Sequence, residues 1–473
     1  MVIFIGGYQS VKVVRQKMRL LLTLGLIFLG MTVTVYSEET EPSMMDLIQQ
    51  AGYEVSEYDR PASVILIDAN TGKYLWGENP DVPRNPASIM KLMTLYMVYE
   101  AMAEGKLSLD TTVVATQRYQ AISQIYALSN APIVSGVEYP VRELIPMVLV
   151  PSSNVATLML AELVEPSPVT FLQMMNTKAQ ELGMTQTRIQ NATGAQISAF
   201  QELYVPAEMD SSALNPWEDN VTTARDLSIL IYHLLQKYSE ILAYTATAQY
   251  TVMAGTSYEE TFDTYNYSLP GLRYAYAGVD GLKTGSSQTG GFNISMTAQR
   301  DDLRLITVVL GVGDWANQEG EYLRQPFANA ALEYGFSQFE YQVVLKAGEH
   351  EINGQKVALV NDLYDTVRKD SDLSLQVSKD VVRLNHALPT VSEVIPQRTQ
   401  GITVVSSPEK RVKKVTQKMA PSSLSGESRL AIFSGVGVFM IIAVVIVVHN
   451  IKTTQKRRRA RQNRGKRERK NQR

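Results

Sequence analysis

A run of nineteen consecutive residues without charge, residues 430–448, places the strongest constraint on this chain of 473 residues. At 1.5 Å per residue a helix of this length spans about 30 Å, the hydrocarbon thickness of a bilayer. Twelve Lys or Arg residues and one Glu follow it before the end of the chain. Because basic residues beside an apolar span favour the cytoplasmic side, we predict a transmembrane helix over 429–449 and a cytoplasmic tail over 450–473.

The other end of the chain has the pattern of a secretion signal. Basic residues up to Arg19 precede an apolar stretch that ends in small residues before Glu38. This order of basic, apolar and small residues is typical of a signal peptide, which we place over 1–37. We therefore expect the rest of the chain up to residue 428 to lie outside the cytoplasm, held at the cell membrane by a single C-terminal anchor.

The charge is unevenly distributed along the chain. The net charge is −2, but the first 37 residues carry +4 and the last 22 carry +11, which leaves −17 for the part between them. An acidic body argues against binding of nucleic acid. The chain has no cysteine, which excludes disulfides, thiolate metal sites and a cysteine nucleophile.

The acidic body has a mixed pattern of helices and strands. Residues 62–76 predict a β-hairpin, and residues 88–102 are almost wholly apolar, as in a helix buried on all sides. Alternating residues over 292–296 and 303–310 predict an antiparallel hairpin, and a last helix is predicted over 325–335. Further helices are predicted over 141–150, 154–164, 169–182 and 223–236. The pattern indicates an α+β domain over 38–340.

The pattern changes after residue 340. Three short strands with polar turns are predicted, over 341–345, 356–360 and 374–382. We interpret residues 341–407 as a small all-β domain. Residues 408–428 are rich in Ser, Pro and Lys and are typical of a juxtamembrane linker.

The first candidate for chemistry is a serine and a lysine on one helical turn. Ser88 and Lys91 are three residues apart, so their side chains lie on the same face of a helix. A serine hydroxyl needs an adjacent base, and lysine becomes one when burial or a nearby cation lowers its pKa. The Ser-x-x-Lys pattern is weak by itself, because a chain of this length contains about two by chance. The second one here, Ser407 to Lys410, lies in the polar linker.

Two further motifs add to this one. Ser152-Ser153-Asn154 supplies a second hydroxyl that can relay a proton and an amide that can bind a carbonyl, although a helix cap explains it equally well when taken alone. Lys283-Thr284-Gly285 opens the predicted strand pair. Its lysine suits a carboxylate, and its glycine lets a ligand approach the backbone closely. An edge-strand lysine before a turn is the simpler alternative.

In this order the three motifs are those of penicillin-binding proteins and class A β-lactamases, with Ser-Ser-Asn here in place of Ser-Asp-Asn. Pro86-Ala87 before the serine and Asp280-Gly281-Leu282 before the lysine strengthen the match. Over residues 62–335 the chain closely resembles the low-molecular-mass penicillin-binding proteins of Gram-positive type, which are serine-type D-alanyl-D-alanine carboxypeptidases.

The resemblance implies a fold. We expect a penicillin-recognising serine transpeptidase or β-lactamase-like domain of the α+β class, with an antiparallel sheet packed between helices. The small all-β domain and the transmembrane helix would follow it. The resemblance also implies a role in peptidoglycan biosynthesis and cell shape.

The resemblance further implies a mechanism. Ser88 would attack the carbonyl between the two D-alanines of a peptidoglycan stem peptide, with Lys91 as base and Ser152 as proton relay. Asn154 would orient the substrate, while Lys283 and Thr284 meet its carboxylate. The N–H groups of Ser88 and of Ser286, next to Gly285, would hold the oxyanion, and β-lactam antibiotics would acylate the same serine.

One part of the family pattern is missing in the sequence. Related enzymes can use an arginine beyond the Lys-Thr-Gly strand to hold the terminal carboxylate, but residues 311–321 contain none. Arg273 is a conceivable but weak substitute.

The sequence argues against two other functions and against a Ser-His-Asp site. A class A β-lactamase needs a deacylating glutamate, and residues 183–201 contain no acid. A non-catalytic penicillin sensor would need a signalling domain, for which the short basic tail leaves no room. None of the four histidines adjoins a motif, which argues against a Ser-His-Asp site. Without a metal cluster or phosphate loop in the sequence, we expect no cofactor and no metal.

Overall fold

The computed structural model of the chain describes residues 41–404. The first domain is built on a five-stranded antiparallel sheet with the strand order β2-β1-β9-β8-β7. The strands of this domain are β1 (Ser63–Asp68), β2 (Tyr74–Glu78), β3 (Thr112–Val114), β4 (Glu138–Pro140), β5 (Gln249–Val252), β6 (Glu260–Asp263), β7 (Val279–Ser287), β8 (Gly291–Arg300) and β9 (Leu303–Val312).

Helices cover both faces of this sheet. They are α1 (Met44–Gln50), α2 (Lys91–Ala103), α3 (Gln117–Ser123), α4 (Val141–Leu149), α5 (Asn154–Val164), α6 (Pro168–Leu182), α7 (Ala224–Lys237), α8 (Leu242–Thr245) and α9 (Gly320–Gln338). Helices α1 and α9 pack on one face, and α7 packs on the other. The last helix is longer at both ends than the segment 325–335 predicted from the sequence.

Strand β1, which lies between β2 and β9, shows why the sheet is buried on both sides. Its side chains alternate between two hydrophobic cores, as expected for successive residues of a strand. Ile65 and Ile67 belong to the core of the helical side, and Val64 and Leu66 belong to the core under α9. All four are fully buried. A continuous apolar strand of this kind therefore specifies a sheet between two helical layers.

Helix α2 occupies the centre of the helical side. Ten of its thirteen residues are buried, Lys91 among them. A helix that is apolar all round has no preferred exposed face and must be surrounded by other elements. Helices α5, α6 and α7 pack around it, so the helix that begins just after Ser88 is held on several sides.

The second domain is entirely β-structure. It contains β10 (Phe339–Leu345), β11 (Gly348–Ile352), β12 (Gln355–Leu359), β13 (Leu363–Arg368), β14 (Leu375–Ser378), β15 (Val381–Leu384) and β16 (Gln400–Val404). Strands β10 and β13 form one antiparallel pair, and the other five form a sheet in the order β11-β12-β16-β15-β14. The prediction of a single strand over 374–382 was wrong. A turn with Lys379 at φ 53° divides it into the hairpin β14–β15, because this left-handed residue reverses the chain.

A buried polar cluster joins the two domains. Lys73, in the turn between β1 and β2, forms an ion pair of 2.6 Å with Asp365 of β13, and both side chains are buried. Thr366 donates to Oδ2 of Asp68 at 2.6 Å. The same turn also exchanges backbone hydrogen bonds with residues 389–391. The β domain is thus attached to the edge hairpin of the catalytic sheet by charged and backbone contacts.

The predicted signal peptide, linker, transmembrane helix and tail all lie outside the described residues. Within residues 41–404 no single helix has the length and apolar composition to cross a bilayer. One helix pair, α5 with α6, meets those two criteria jointly, with a bend of 87° between its members.

Candidate active site

Ser88 is the centre of the candidate site. It lies on a short 3₁₀ turn, Ala87–Met90, and α2 begins at Lys91. Asn85 fixes this turn, because its Oδ1 accepts the N–H of Ala87 at 2.8 Å. Ala87 has a positive φ of 47°, an uncommon conformation for a residue with a Cβ, of the kind that persists where the surrounding structure enforces it.

Two glycines allow other backbone segments to approach Ser88 closely. A Cβ on Gly285 of β7 would lie 2.6 Å from the carbonyl oxygen of Pro86 and 2.9 Å from the nitrogen of Ser88. A Cβ on Gly194, which has φ of 87°, would overlap the carbonyl of Ala87. Any side chain at either position would push its segment away from the serine. The glycines therefore bring β7 and the segment around residue 194 against the nucleophile.

Lys91 is fully buried and contacts three oxygen atoms. Its Nζ lies 2.8 Å from Oγ of Ser88, 2.9 Å from Oδ1 of Asn154 and 2.8 Å from the carbonyl oxygen of Thr193. Burial, and secondly the cation of Lys283, lower the pKa of Lys91 well below its usual value. A neutral amine has two N–H groups and one lone pair. Since both carbonyl oxygens can only accept, they orient the lone pair toward Ser88.

The middle motif places its three residues in different roles. Ser152 has φ of 62° and is buried, and its Oγ has no hydrogen-bond partner among the described residues. Ser153 caps α5 by accepting the N–H of Ala156 at 3.2 Å. An unpaired buried hydroxyl is costly, so Ser152 is free to bind a reacting group. It lines the same cleft as Ser88.

Asn154 is already engaged at both ends of its amide. Oδ1 accepts from Lys91, and Nδ2 donates to the carbonyl oxygen of Ser129 at 2.9 Å. These contacts hold the base and the loop that carries Ser129. The substrate contact predicted for Asn154 stays a prediction.

Lys283 extends from β7 into the interior beside the cleft. It is 2% exposed, and Nζ donates to the carbonyl oxygen of Thr284 at 3.0 Å. Burial, with a smaller contribution from the cation of Arg324, lowers the pKa of Lys283 to about 7. Thr284, Gly285 and Ser286 follow it along the wall of the cleft.

Arg324 of α9 is the functional candidate that the sequence analysis missed. It is 1% exposed, and Nη1 donates to Oγ of Ser286 at 2.9 Å. Burial lowers the pKa of this guanidinium to about 10, so it remains cationic at neutral pH. Arg324 lies three positions beyond residues 311–321, the segment without arginine. Glu321 stands in the same turn of α9, so charge alone did not distinguish Arg324 in the sequence. Arg273, the substitute considered, stacks on Tyr274 and Tyr322 instead.

These residues enclose a cleft of about 240 Å³. Its lining consists of Ser88, Ala127, Ser129, Ser152, Tyr265, Thr284, Gly285, Ser286, Phe292, Trp315, Gln318, Glu321 and Arg324. A larger cavity of about 1040 Å³ adjoins it at Ser129 and Tyr265. The structure thus brings all eight predicted site residues to one place, with Lys91, Asn154 and Lys283 directly behind the lining.

Thr193 was also missed. Its carbonyl oxygen takes one N–H of Lys91, a backbone contact that no residue type could have signalled. The segment is shaped by Asn191, whose Oδ1 accepts the N–H groups of Thr193 and Gly194 at 3.1 and 2.7 Å. At this position the segment presents a carbonyl to Lys91 and not a carboxylate. Among residues 41–404, no group of acids and histidines has the arrangement of a metal site.

A model of the D-alanyl-D-alanine carboxypeptidase family matches residues 54–314, more than half of the chain. The chain belongs to this family. The resemblance inferred from the three motifs is therefore confirmed, and so is the serine-type D-alanyl-D-alanine carboxypeptidase class of enzyme. A second model, of a domain of unknown function, matches residues 341–403.

Curated relatives carry the family name. The D-alanyl-D-alanine carboxypeptidase DacF of Bacillus subtilis is 28% identical over 304 residues, which cover 64% of this chain and 69% of DacF. DacA of Escherichia coli is 27% identical over 294 residues, which cover 61% of this chain and 63% of DacA. The chain spans about two thirds of the length of these relatives.

Solved structures of penicillin-binding proteins share the fold. A peptidoglycan synthesis regulatory factor, PBP3, from Streptococcus pneumoniae aligns with a TM-score of 0.62 and 26% identity, over 72% of this chain and 98% of that one. Penicillin-binding protein 5 from Haemophilus influenzae aligns with a TM-score of 0.56 and 22% identity, over 75% and 99%, which shows the fold alone. The predicted penicillin-binding protein fold, with mixed helices and sheet and a second all-β domain, is confirmed.

Proposed function

We propose that this member of the D-alanyl-D-alanine carboxypeptidase family removes the terminal D-alanine from peptidoglycan stem peptides through an acyl-enzyme on Ser88. The observation that carries the proposal is the distance of 2.8 Å between Nζ of Lys91 and Oγ of Ser88. It joins a hydroxyl to a buried amine whose pKa is well below its usual value. That pair supplies the nucleophile and the base that acyl transfer needs.

In the first step the lone pair of Lys91 takes the proton of Ser88, and Oγ attacks the carbonyl carbon of the penultimate D-alanine. Negative charge then develops on the carbonyl oxygen. The N–H groups of Ser88 and Ser286 are the proposed donors to it, and the close approach at Gly285 brings their two segments together. Loss of one such donor in serine hydrolases costs about 3–4 kcal/mol of transition-state stabilisation.

In the second step the C–N bond breaks and the departing D-alanine needs a proton. Ser152 is placed to deliver it, since its buried Oγ has no other partner among the described residues. Lys283 is the proposed source behind it, because a group with a pKa of about 7 holds and releases a proton near neutral pH. The proton that Lys91 took from Ser88 is proposed to return through Ser152 to Lys283, so that both lysines regain their starting charge before water attacks the acyl-enzyme.

The terminal carboxylate is proposed to bind Thr284 and the two cations behind the cleft. Arg324 supplies, beside Lys283, the second positive charge that the family pattern led us to seek in residues 311–321. An arginine fork matches a carboxylate with two parallel hydrogen bonds. These cations support the proposal of a site for the free carboxyl terminus, which would distinguish a carboxypeptidase substrate from an internal peptide bond.

Water then releases the acyl-enzyme and restores Ser88. β-Lactam antibiotics are proposed to acylate the same atom, because their strained amide occupies the place of the scissile bond. The β-lactamase alternative has less support, since residues 183–201 contain no acid and Lys91 faces the carbonyl of Thr193. A penicilloyl adduct should therefore persist. The sensor alternative predicts the same adduct but no peptide turnover.

We also propose that the protein is exported and anchored by residues 429–449, with the catalytic domain outside the cell. The apolar runs at both ends of the sequence and the basic residues beyond the second one support this topology. Protease added to intact cells should remove the catalytic domain and leave a short membrane-bound fragment. A chain protected until the cells are lysed would contradict the topology.

The test of the activity uses the full chain in detergent with a diacyl-Lys-D-Ala-D-Ala peptide and follows free D-alanine. Release should disappear in Ser88→Ala and remain in Ser407→Ala, which alters the other Ser-x-x-Lys sequence. A wild-type protein that forms a stable penicilloyl adduct on Ser88 but releases no D-alanine would replace the carboxypeptidase assignment with a sensor or an obligate transpeptidase.

A further inference from the structure

An exposed tryptophan lies outside the catalytic cleft, on the segment between Gly194 and Asp219. The side chain of Trp217 is 73% exposed, whereas Trp76 is buried and Trp315 stacks on Phe292 of the catalytic cleft. An indole exposed to this degree loses the favourable burial that its large apolar face normally contributes. A single exposed apolar side chain is ordinary on a protein surface, so the feature that distinguishes Trp217 is the cavity that it lines.

Trp217 forms one wall of a cavity of about 620 Å³, a volume within the usual range for small-molecule sites. The cavity is separate from the catalytic cleft. Its lining includes apolar side chains and side chains that form hydrogen bonds. They are Ile197, Ser198, Gln201, Glu202, Tyr204, Val205, Ser211, Leu214, Pro216 and Trp217. Two adjacent residues of this lining, Gln201 and Glu202, have positive φ values of 52° and 69°, a strained arrangement that is found more often at binding sites than elsewhere.

Both ends of the segment are fixed to the catalytic centre. At one end Gly194 packs against the backbone beside Ser88. At the other end Asp219, two residues after Trp217, accepts a hydrogen bond of 2.7 Å from Thr289 in the turn between β7 and β8. Thr289 in turn accepts from Asn85 at 2.8 Å. The cavity is therefore held at a defined place relative to the nucleophile.

The direction of the substrate relates the cavity to the cleft. With its carboxylate at Lys283 and Thr284, an extended peptide lies along β7 in the manner of an added strand. Its acyl portion then passes Ser286 and leaves toward the turn that contains Thr289, which is the turn that contacts Asp219. In a stem peptide, the end that leaves in this direction is the one attached to the sugar of the glycan strand.

We propose that the Trp217 cavity binds a sugar unit of the glycan strand that carries the stem peptide. The proposal rests on the carboxypeptidase function proposed above. An N-acetylated sugar has a face of C–H groups that stacks on an indole and a rim of hydroxyl and amide groups. Ser198, Gln201 and Ser211 can form hydrogen bonds to that rim.

The charges near the cavity favour a neutral sugar over an anionic ligand. Glu202 is the one charged residue in the lining, and Asp210 is next in sequence to the lining residue Ser211. A teichoic acid or nucleic acid phosphate would be repelled by these carboxylates. The sugars of a peptidoglycan strand carry no such charge, because the muramyl carboxyl group is consumed in the bond to the peptide.

The deciding experiment compares two substrates on the full chain in detergent: a free stem pentapeptide and the same pentapeptide attached to its disaccharide. For Trp217→Ala we expect KM for the disaccharide substrate to rise about five- to tenfold with kcat unchanged, the loss expected for one aromatic stacking contact. KM for the free peptide should not change. Tyr364→Ala, at an exposed aromatic of the β domain, should leave both values as in the wild type.

Equal KM changes for the two substrates, or none for either, would overturn the proposal. A direct binding measurement keeps it separate from the catalytic assignment. An N-acetylglucosamine tetramer should change the tryptophan fluorescence of Ser88→Ala protein, and the change should vanish in Ser88→Ala with Trp217→Ala. Sugar binding without D-alanine release by the wild type would sink the carboxypeptidase function alone, whereas release without sugar binding would sink this inference alone.

Discussion

Arg324 donates a hydrogen bond of 2.9 Å from Nη1 to Oγ of Ser286, although the two residues lie 38 positions apart. The contact joins helix α9 to strand β7 beneath the catalytic cleft. It places a buried cation beside the strand that carries Lys283, and that cation contributes to the low pKa of the lysine. The proposed carboxylate recognition and the proposed proton transfer would thus be coupled through one guanidinium.

Replacing Arg324 with Gln should lower kcat/KM for a peptide with a free terminal carboxylate by about 10- to 100-fold, the range expected for losing a hydrogen bond to a charged group. The measurement is steady-state release of D-alanine. A peptide whose terminal carboxylate is amidated should show little further loss in this variant. Arg273→Gln is the matched control, since that arginine stacks on two tyrosines. An equal loss for both peptides would contradict carboxylate binding by Arg324.

The pH profile of kcat/KM should fall as the pH rises through about 7, because Lys283 then loses its proton. Burial and, secondly, the cation of Lys283 hold the pKa of Lys91 well below its usual value. Arg324→Gln removes a cation that lowers the pKa of Lys283, so that pKa must rise. The alkaline limb should therefore move to higher pH.

Lys283→Arg provides the control for that profile. A guanidinium stays protonated through the whole range, so the alkaline limb should disappear even if the rate is lower. Rates measured between about pH 6 and pH 9 are sufficient. An unchanged limb in Lys283→Arg would assign the titration to another group.

Ser152→Ala should slow acylation by penicillin by about 10²- to 10⁴-fold, the usual range for losing a general acid–base group, with no loss of thermal stability. Ser153→Ala is its neighbour and matched control. That change removes the cap of α5 and should cost about 1 kcal/mol of unfolding free energy while acylation stays near the wild-type rate. Loss of stability in Ser152→Ala with an unchanged acylation rate would make Ser152 structural and not part of the proton relay.

Lys73→Ala should destabilise the folded chain by about 3–5 kcal/mol, because it leaves the buried carboxylate of Asp365 without its partner. Arg188→Ala breaks an exposed pair with Glu218 and should cost less than about 1 kcal/mol. Chemical unfolding followed by tryptophan fluorescence measures both. If the two variants lose equal stability, the Lys73 pair does not join the domains as described.

The architecture could be predicted largely because its signals are local. The apolar alternation of 292–296 predicts a strand by its period, and the length of the almost wholly apolar run after Ser88 favours a buried helix. Contacts that form only when distant segments of the folded chain come together could not be predicted from the sequence pattern. The carbonyl of Thr193 and the turn at Lys379 that divides a predicted strand are backbone features, and most residue types are compatible with both.

The site residues also divide into those that a local motif predicts and those that only the fold brings together. Ser88, Lys91, Ser152 and Lys283 stand in short motifs whose spacing expresses their chemistry. Arg324 has no motif, and only the fold of α9 against β7 brings it to the cleft. The hydrogen bonds of Asn154 with Lys91 and Ser129 could likewise not be predicted, because the motif shows that an amide is present but not which groups it binds.

The close approach at Gly285 has an evolutionary consequence. The donors proposed for the oxyanion are main-chain N–H groups, which every substitution except proline retains. No side chain fits at position 285 without separating β7 from the turn before Ser88. Single substitutions selected by an antibiotic therefore cannot change the oxyanion donors without disturbing the contact between β7 and the turn before Ser88. We expect resistance mutations in this protein to appear at the rim of the cleft, where loops can change without parting the two segments.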